Sequence, residues 1–158
     1  QDFDASTQGL PALVRAIRLP DPDSGKWMSV GYLTDIILVR DMWSHRLDVC
    51  RATGREFVQT PAHDGRILAI VVRELAQQLR AVLGLRSVVY ELRGTSGGCW
   101  RMGSNSRASA RLTMDALDFS LLASERTTAD AIRSQGLVAI EGDEELANLV
   151  LDQTIVLY

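Results

Sequence analysis

The sequence predicts an α+β chain in two parts: helices over 1–55, and a small mixed α+β domain over 64–158, joined by a linker at 56–63. Three observations lead there. Ser29 to Gly54 repeats its apolar residues at helical spacing. From Ser87 onward the period changes to the alternation of strands. Between Gly94 and Arg107, glycine and serine punctuate the chain as they do in hairpin turns and loops.

Residues 1–8 are polar and are expected to fray. Gly9 to Leu19 carries Leu10, Leu13, Val14 and Ile17 at helical spacing, with Pro11 suited to a first turn and Pro20 as a stop. The stretch PDPDSGK is a loop. A helix of about six or seven turns follows, on the basis of about 1.5 Å of rise per residue. Ser29 is its N-cap, and Gly54 stands where a left-handed residue ends a helix. Thr34, Leu38, Asp41, His45 and Asp48 form one stripe. Leu33, Ile36, Trp43, Leu47 and Cys50 form an apolar neighbour, interrupted by Arg40. The two helices would make an antiparallel pair, which leaves apolar surface for further helices to cover.

Pro61 marks the linker. Asp64 to Leu83 reads as a helix with Ile67, Ile70, Val71, Leu75, Leu79 and Val82 on one face, ended by Gly84. Ser87 to Arg93 and Cys99 to Met102 form a hairpin about a turn at 94–98, and Ala108 to Thr113 is a third strand. Asp115 caps a helix running to Ala123. Thr127 and Asp130 open a short helix ending near Gly136. Leu137 to Glu141 is a fourth strand. Asp143 caps a last helix that points Leu146, Leu149 and Val150 inward, with Glu144 and Glu145 in its first turn. Thr154 to Tyr158 is a closing strand or an ordered extension.

Composition narrows the function classes. The chain is 46% hydrophobic and 23% charged, as ordinary globular proteins are. A net charge of −3 without a basic run gives no reason to expect nucleic acid. Cys50 and Cys99 make no disulfide framework, so a reduced, cytoplasmic setting fits. No apolar run approaches the roughly 20 residues that span a bilayer, and the start shows no signal-peptide pattern.

Asp41 and His45, four residues apart, project from one patch of helix. They are a candidate pair of metal ligands or an ordinary i,i+4 pair. His63 is a candidate third ligand or a solvated linker residue. GTSGGCWRMGSNSR offers Arg101 and Arg107 as anion-holding groups, against the plainer reading of a glycine-bearing hairpin with solvated arginines. Cys99 has no histidine near it in sequence and reads as an inert strand residue. Trp43 and Trp100 read as core. Asp48 either orients His45 or meets Arg51 or Arg55.

The run YLTDIILVRDMWSHRLDVCRATGREF resembles the last bundle helix of the mycothiol-dependent maleylpyruvate isomerase family. The shared pattern is an acidic residue, three residues, His, a basic residue, and then Asp, Ile or Val, any residue and Arg-Ala-Thr-Gly-Arg. Here it reads Asp41, His45, Arg46 and Asp48 to Arg55. The likeness continues more loosely through GTSGGCWRMG, LTMDALDFSLLASER and GLVAIEGDEELANLVL, which look like the family's sterol-carrier-like C-terminal domain. The resemblance implies the C-terminal helices of a DinB-like four-helix bundle, followed by that small domain.

The implied activity is a metal- and thiol-cofactor-dependent isomerase or transferase. A divalent metal, zinc in the first instance, would be held in part by Asp41 and His45. Mycothiol or a related thiol would be the cofactor, and Arg101 and Arg107 would hold a small-molecule carboxylate substrate. The family's site also takes a histidine from the first bundle helix, which has no match here, and the chain opens with Gln1. That departure leads to the expectation of a fragment, a processed chain, or a second chain or dimer mate that completes the bundle. The alternative function is a non-catalytic module that holds an apolar ligand or a protein partner.

Overall fold

The computed structural model describes residues 10–20 and 27–156. The expected frayed start at 1–8, most of the PDPDSGK loop and the last two tail residues lie outside them. The chain divides into two compact units, one up to Phe57 and one from Val58.

In the first unit a short helix α1 (Ala12–Ala16) is followed by strand β1 (Arg18–Pro20). The helix expected over Gly9 to Leu19 therefore ends early. Pro20 disfavours helical backbone at the residue before it, and the chain turns extended from Ile17 (ψ 133). β1 pairs antiparallel with β2 (Trp27–Ser29), with Arg18 opposite Ser29. The expected antiparallel helix pair is thus a short helix and a two-stranded ribbon among the described residues.

The long helical segment is present, with a defect. α2 (Val30–Tyr32) passes into a π-helical stretch, Leu33–Ile37, and then into α3 (Leu38–Thr53). Ser29 caps it: its hydroxyl accepts from the Tyr32 N–H at 3.0 Å. Thr34 donates to the Gly31 carbonyl, and Asp35 pairs with Arg15 of α1. At Gly31 a Cβ would sit 3.3 Å from the Arg15 carbonyl oxygen, so the close approach of α1 favours glycine there. Gly54 ends α3 in the left-handed conformation at φ 66°, and the Arg55 N–H reaches back to the Cys50 carbonyl. Trp43 and Leu47 are buried, and Trp43 meets the edge of Phe57 at 5.3 Å.

The second unit is α+β. The expected helix from Asp64 to Leu83 forms as α4 (Asp64–Gln78) and α5 (Arg80–Leu83), joined at Leu79. Strands β3 (Ser87–Arg93), β4 (Gly98–Gly103), β5 (Ala110–Asp115) and β6 (Val138–Gly142) make one sheet in the order β4-β3-β5-β6. β3 runs antiparallel to β4 and parallel to β5, and β5 runs antiparallel to β6. The third strand starts two residues later than expected and runs into Asp115. That carboxylate then accepts from the Leu117 N–H at 2.7 Å and caps α6 (Ala116–Ala123). Thr128, rather than Thr127, caps α7 (Ala129–Ser134), and Asp143 caps α8 (Glu144–Asp152).

Sheet alternation sends Val88, Tyr90, Leu92, Ala110, Leu112 and Met114 to one buried face. Phe119 of α6 meets Tyr90 edge-on at 5.1 Å, and Leu146, Val150 and Leu151 of α8 are also buried. The opposite face carries Glu91, whose carboxylate accepts from Arg111 at 2.8 Å. The described tail, 154–156, is an ordered extension and forms no strand. The Val156 N–H donates to the Ala123 carbonyl, and the Thr154 hydroxyl bonds the Tyr90 hydroxyl at 2.7 Å.

Burial raises the Tyr90 pKa well above its ordinary value, because the phenolate has no solvation there. The sign follows from linkage. Below about pH 10 both folded and unfolded chains hold this proton, and the neutral phenol's contribution is fully present. Above that, the unfolded chain loses the proton first, so stability falls as pH rises toward the folded pKa. Thermal melts across this range should show that fall, and Tyr90→Phe should flatten it at a cost of about 1 kcal/mol for the lost hydrogen bond. An unchanged alkaline slope in the variant would contradict the assignment.

Candidate functional site

Two places in the chain gather polar chemistry, one in each unit. On α3 the His45 Nε2 lies 3.4 Å from the Asp41 Oδ1, as their i,i+4 spacing requires. Both are open to solvent, His45 at 67% exposure and Asp41 at 42%. Among the described residues no group of three or more His, Cys, Asp or Glu side chains is placed to hold a metal. Zinc sites take three or four protein donors, so the pair alone does not fit a complete zinc site.

His63 stands in the other unit. Its Nδ1 is 3.7 Å from the Oδ1 of Asp64 at the start of α4, and Asp64 itself is buried and accepts from the Thr60 N–H at 2.6 Å. Cys99 is exposed on β4, and Cys50 is half-buried on α3; both are free thiols.

The second place is a cleft of about 580 Å³ in the α+β unit. Arg73, Ala76 and Gln77 of α4 and Arg80 of α5 form one wall. Their spacings of three, four and seven residues put them on one helix face. Arg101 and Met102 of β4, Gly103, Ser104 and Gly84 complete the lining. The volume lies within the range of small-molecule pockets.

The strand wall depends on a glycine. Gly103 holds φ at +100°, and a Cβ there would lie 2.2 Å from the Arg86 carbonyl oxygen. This lets the loop after β4 lie against the chain after α5. The Ser104 hydroxyl donates to the Gly84 carbonyl at 3.4 Å, and the Ser87 hydroxyl donates to the Asn105 carbonyl at 2.7 Å. Gly103→Ala is therefore expected to destabilise the α+β unit by about 1–3 kcal/mol, the cost of a strained backbone position. A denaturant melt checks this, and an unchanged midpoint would contradict it.

The electrostatics of the cleft are one-sided. Arg73, Arg80 and Arg101 line it, and among the described residues no Asp or Glu does. Among the described residues none of these three arginines is paired with a carboxylate. Other arginines of the unit are neutralised. Arg111 meets Glu91 at 2.8 Å, and Arg133 meets both Asp130 and Asp152 at 2.7 Å. Three guanidiniums around one cavity, over buried Met102 and half-buried Ala76, can hold an anionic group with an apolar stem beside it.

Of the two arginines singled out from sequence, Arg101 lies in this cleft. Arg107 is exposed on the following loop, where its N–H donates to the Asn105 side chain at 2.9 Å, and it does not line the cavity. Arg73 and Arg80 join Arg101 in the cleft. Their seven-residue spacing on the polar face of α4 and α5 is the signal that could have found them.

No family model matches the chain, and no curated protein matches it significantly. Among solved structures it is similar to sterol carrier protein 2 from Yarrowia lipolytica in its apo form, at 16% identity and a TM-score of 0.39, over 56% of this chain and 89% of that one. It is similar to sterol carrier protein-2 like-3 from Aedes aegypti at 22% identity and a TM-score of 0.37, over 52% of this chain and 91% of that one. A third likeness, to the ubiquinone synthesis protein UbiJ-SCP2, has 16% identity and a TM-score of 0.36, over 63% of this chain and 94% of that one. All three carry sterol carrier protein 2 in their names. None of the three is a maleylpyruvate isomerase. These are partial likenesses at low identity, and no family membership follows from them.

Proposed function

We propose that the α+β unit is a non-catalytic binding module whose cleft holds the anionic end of a small, partly apolar ligand, such as a medium-chain carboxylate. One observation carries this reading: three arginines, none paired with a carboxylate among the described residues, line a single cavity together with Ala76 and Met102. Guanidinium pairs with carboxylate or phosphate through parallel hydrogen bonds, and the apolar stem gains from leaving water. The unneutralised charge favours an anion over a neutral ligand of the same length.

Titration calorimetry with decanoate and decanol tests the reading. Decanoate is expected to bind saturably and decanol at least about tenfold more weakly, as one charge-assisted contact of about 1.5 kcal/mol implies. Equal affinities, or no binding of either, would contradict it.

A second reading is the metal- and thiol-dependent isomerase or transferase. The 3.4 Å approach of His45 to Asp41 favours it, and it needs further donors from outside the described residues. Elemental analysis of the purified chain beside an Asp41→Ala, His45→Ala control tests it. Near-stoichiometric zinc that disappears in the control supports a site on α3; no zinc in either sample contradicts it.

A further inference from the structure

We propose that the mouth of the arginine cleft is a docking surface for anionic phospholipid membranes, with Leu85 as the residue that enters the lipid. Leu85 is 86% exposed. A single exposed leucine is ordinary by itself; its surroundings are what give it meaning. It follows Gly84, which lines the cleft and turns the chain at φ 56° and ψ −117°, and it precedes Arg86. The Ser104 hydroxyl bond to Gly84 brings the loop of Gly103 to Arg107 alongside. The same end of the unit therefore presents Leu85 with Arg80, Arg101 and Arg107, none of them paired with a carboxylate among the described residues. Arg86 is partly neutralised, at 3.6 Å from Asp143.

An apolar side chain flanked by cations matches the two parts of an anionic membrane surface. The guanidiniums meet lipid phosphates, and the leucine enters the headgroup and acyl boundary. Among the described residues no helix is long and apolar enough to cross a membrane. This inference goes beyond the ligand reading and stands on a separate observation, the exposed Leu85. If both hold, the cleft opens toward the surface from which an amphiphilic anion would be taken up.

The test is co-sedimentation of the full chain with vesicles of phosphatidylcholine alone or with added phosphatidylglycerol. Binding is expected only with phosphatidylglycerol. Leu85→Ser should weaken it about tenfold, the scale of burying one leucine. Arg107→Glu should weaken it at least about fivefold, the scale of one arginine near an anionic surface. Neither residue lines the cleft, so both variants should keep decanoate affinity and the wild-type melting temperature. Absence of wild-type binding, equal binding by both variants, or full competition by soluble glycerol phosphate would overturn the proposal. Binding to soluble polyglutamate that matches vesicle binding and ignores Leu85→Ser would also overturn it, in favour of an acidic protein partner. Vesicle binding without decanoate binding would leave this proposal standing and remove the ligand reading.

Discussion

Replacing Arg73, Arg80 and Arg101 together with glutamine is expected to weaken decanoate binding by about a hundredfold, while decanol binding changes little. Hydrogen bonds to charged groups contribute about 1.5–3 kcal/mol each, and these side chains are exposed, so the lower end applies. Two such losses already reach a hundredfold, at about 1.4 kcal/mol per tenfold. Glutamine keeps a polar side chain and removes the charge and the forked guanidinium donors. Arg101→Gln alone should cost about tenfold. Binding should also fall with added salt, because exposed charges are screened within about 10 Å at moderate ionic strength. Calorimetry on the two variants and the wild type checks the series. A triple variant that binds decanoate normally would show that the ligand sits elsewhere. Folding should survive, since none of the three arginines supports the core.

Phe119→Ala is expected to cost the α+β unit about 3–5 kcal/mol, as other buried phenylalanine truncations do. Phe119 is fully buried on α6 and stacks edge-on against Tyr90 of β3, where helix and sheet meet. Truncation removes that contact and leaves a void that the surrounding side chains cannot fill. For a unit of this size, each kcal/mol moves the melting temperature by roughly 4–8 °C. A drop of about 12 °C or more is therefore expected in a near-ultraviolet circular dichroism melt. A shift of only a degree or two would mean that the ring is not part of the packed interior.

Much of the local structure was legible because it rests on local chemistry. Ser29, Asp115 and Asp143 each cap a helix through their own side chains, and each could be read from the chain. The αL stop at Gly54 is equally local. The structure departs from the local pattern where neighbours in space decide. The third strand slipped by two residues because its ends are set by pairing Ala110 with Val88 and Gly142, and not by its own pattern. The first helix was overextended because Leu19 and Ile17 satisfy a helical period, while Pro20 and the ribbon partner Met28 hold the chain extended. The π-helical stretch at Leu33–Ile37 left no mark in the apolar pattern; Arg15 on another element pairs with Asp35 there.

The site divides in the same way. Arg101 could be suspected from a glycine- and serine-rich hairpin. Arg73 and Arg80 could not be separated from ordinary solvated charges on a polar helix face, since only the placement of β4 beside α4 gives them a shared cavity. Asp41 and His45 are adjacent by helix geometry alone, but further metal donors would be non-local, and the described residues bring none to them.

The most direct measurement of the central claim is a decanoate titration followed by amide nuclear magnetic resonance on the isotope-labelled chain. Saturable shifts are expected at the Gly84, Gly103 and Ser104 amides and at the side chains of Arg73, Arg80 and Arg101, with small shifts from decanol. Saturable shifts centred on α3, or shifts of equal size from decanol, would contradict an arginine-lined anion cleft.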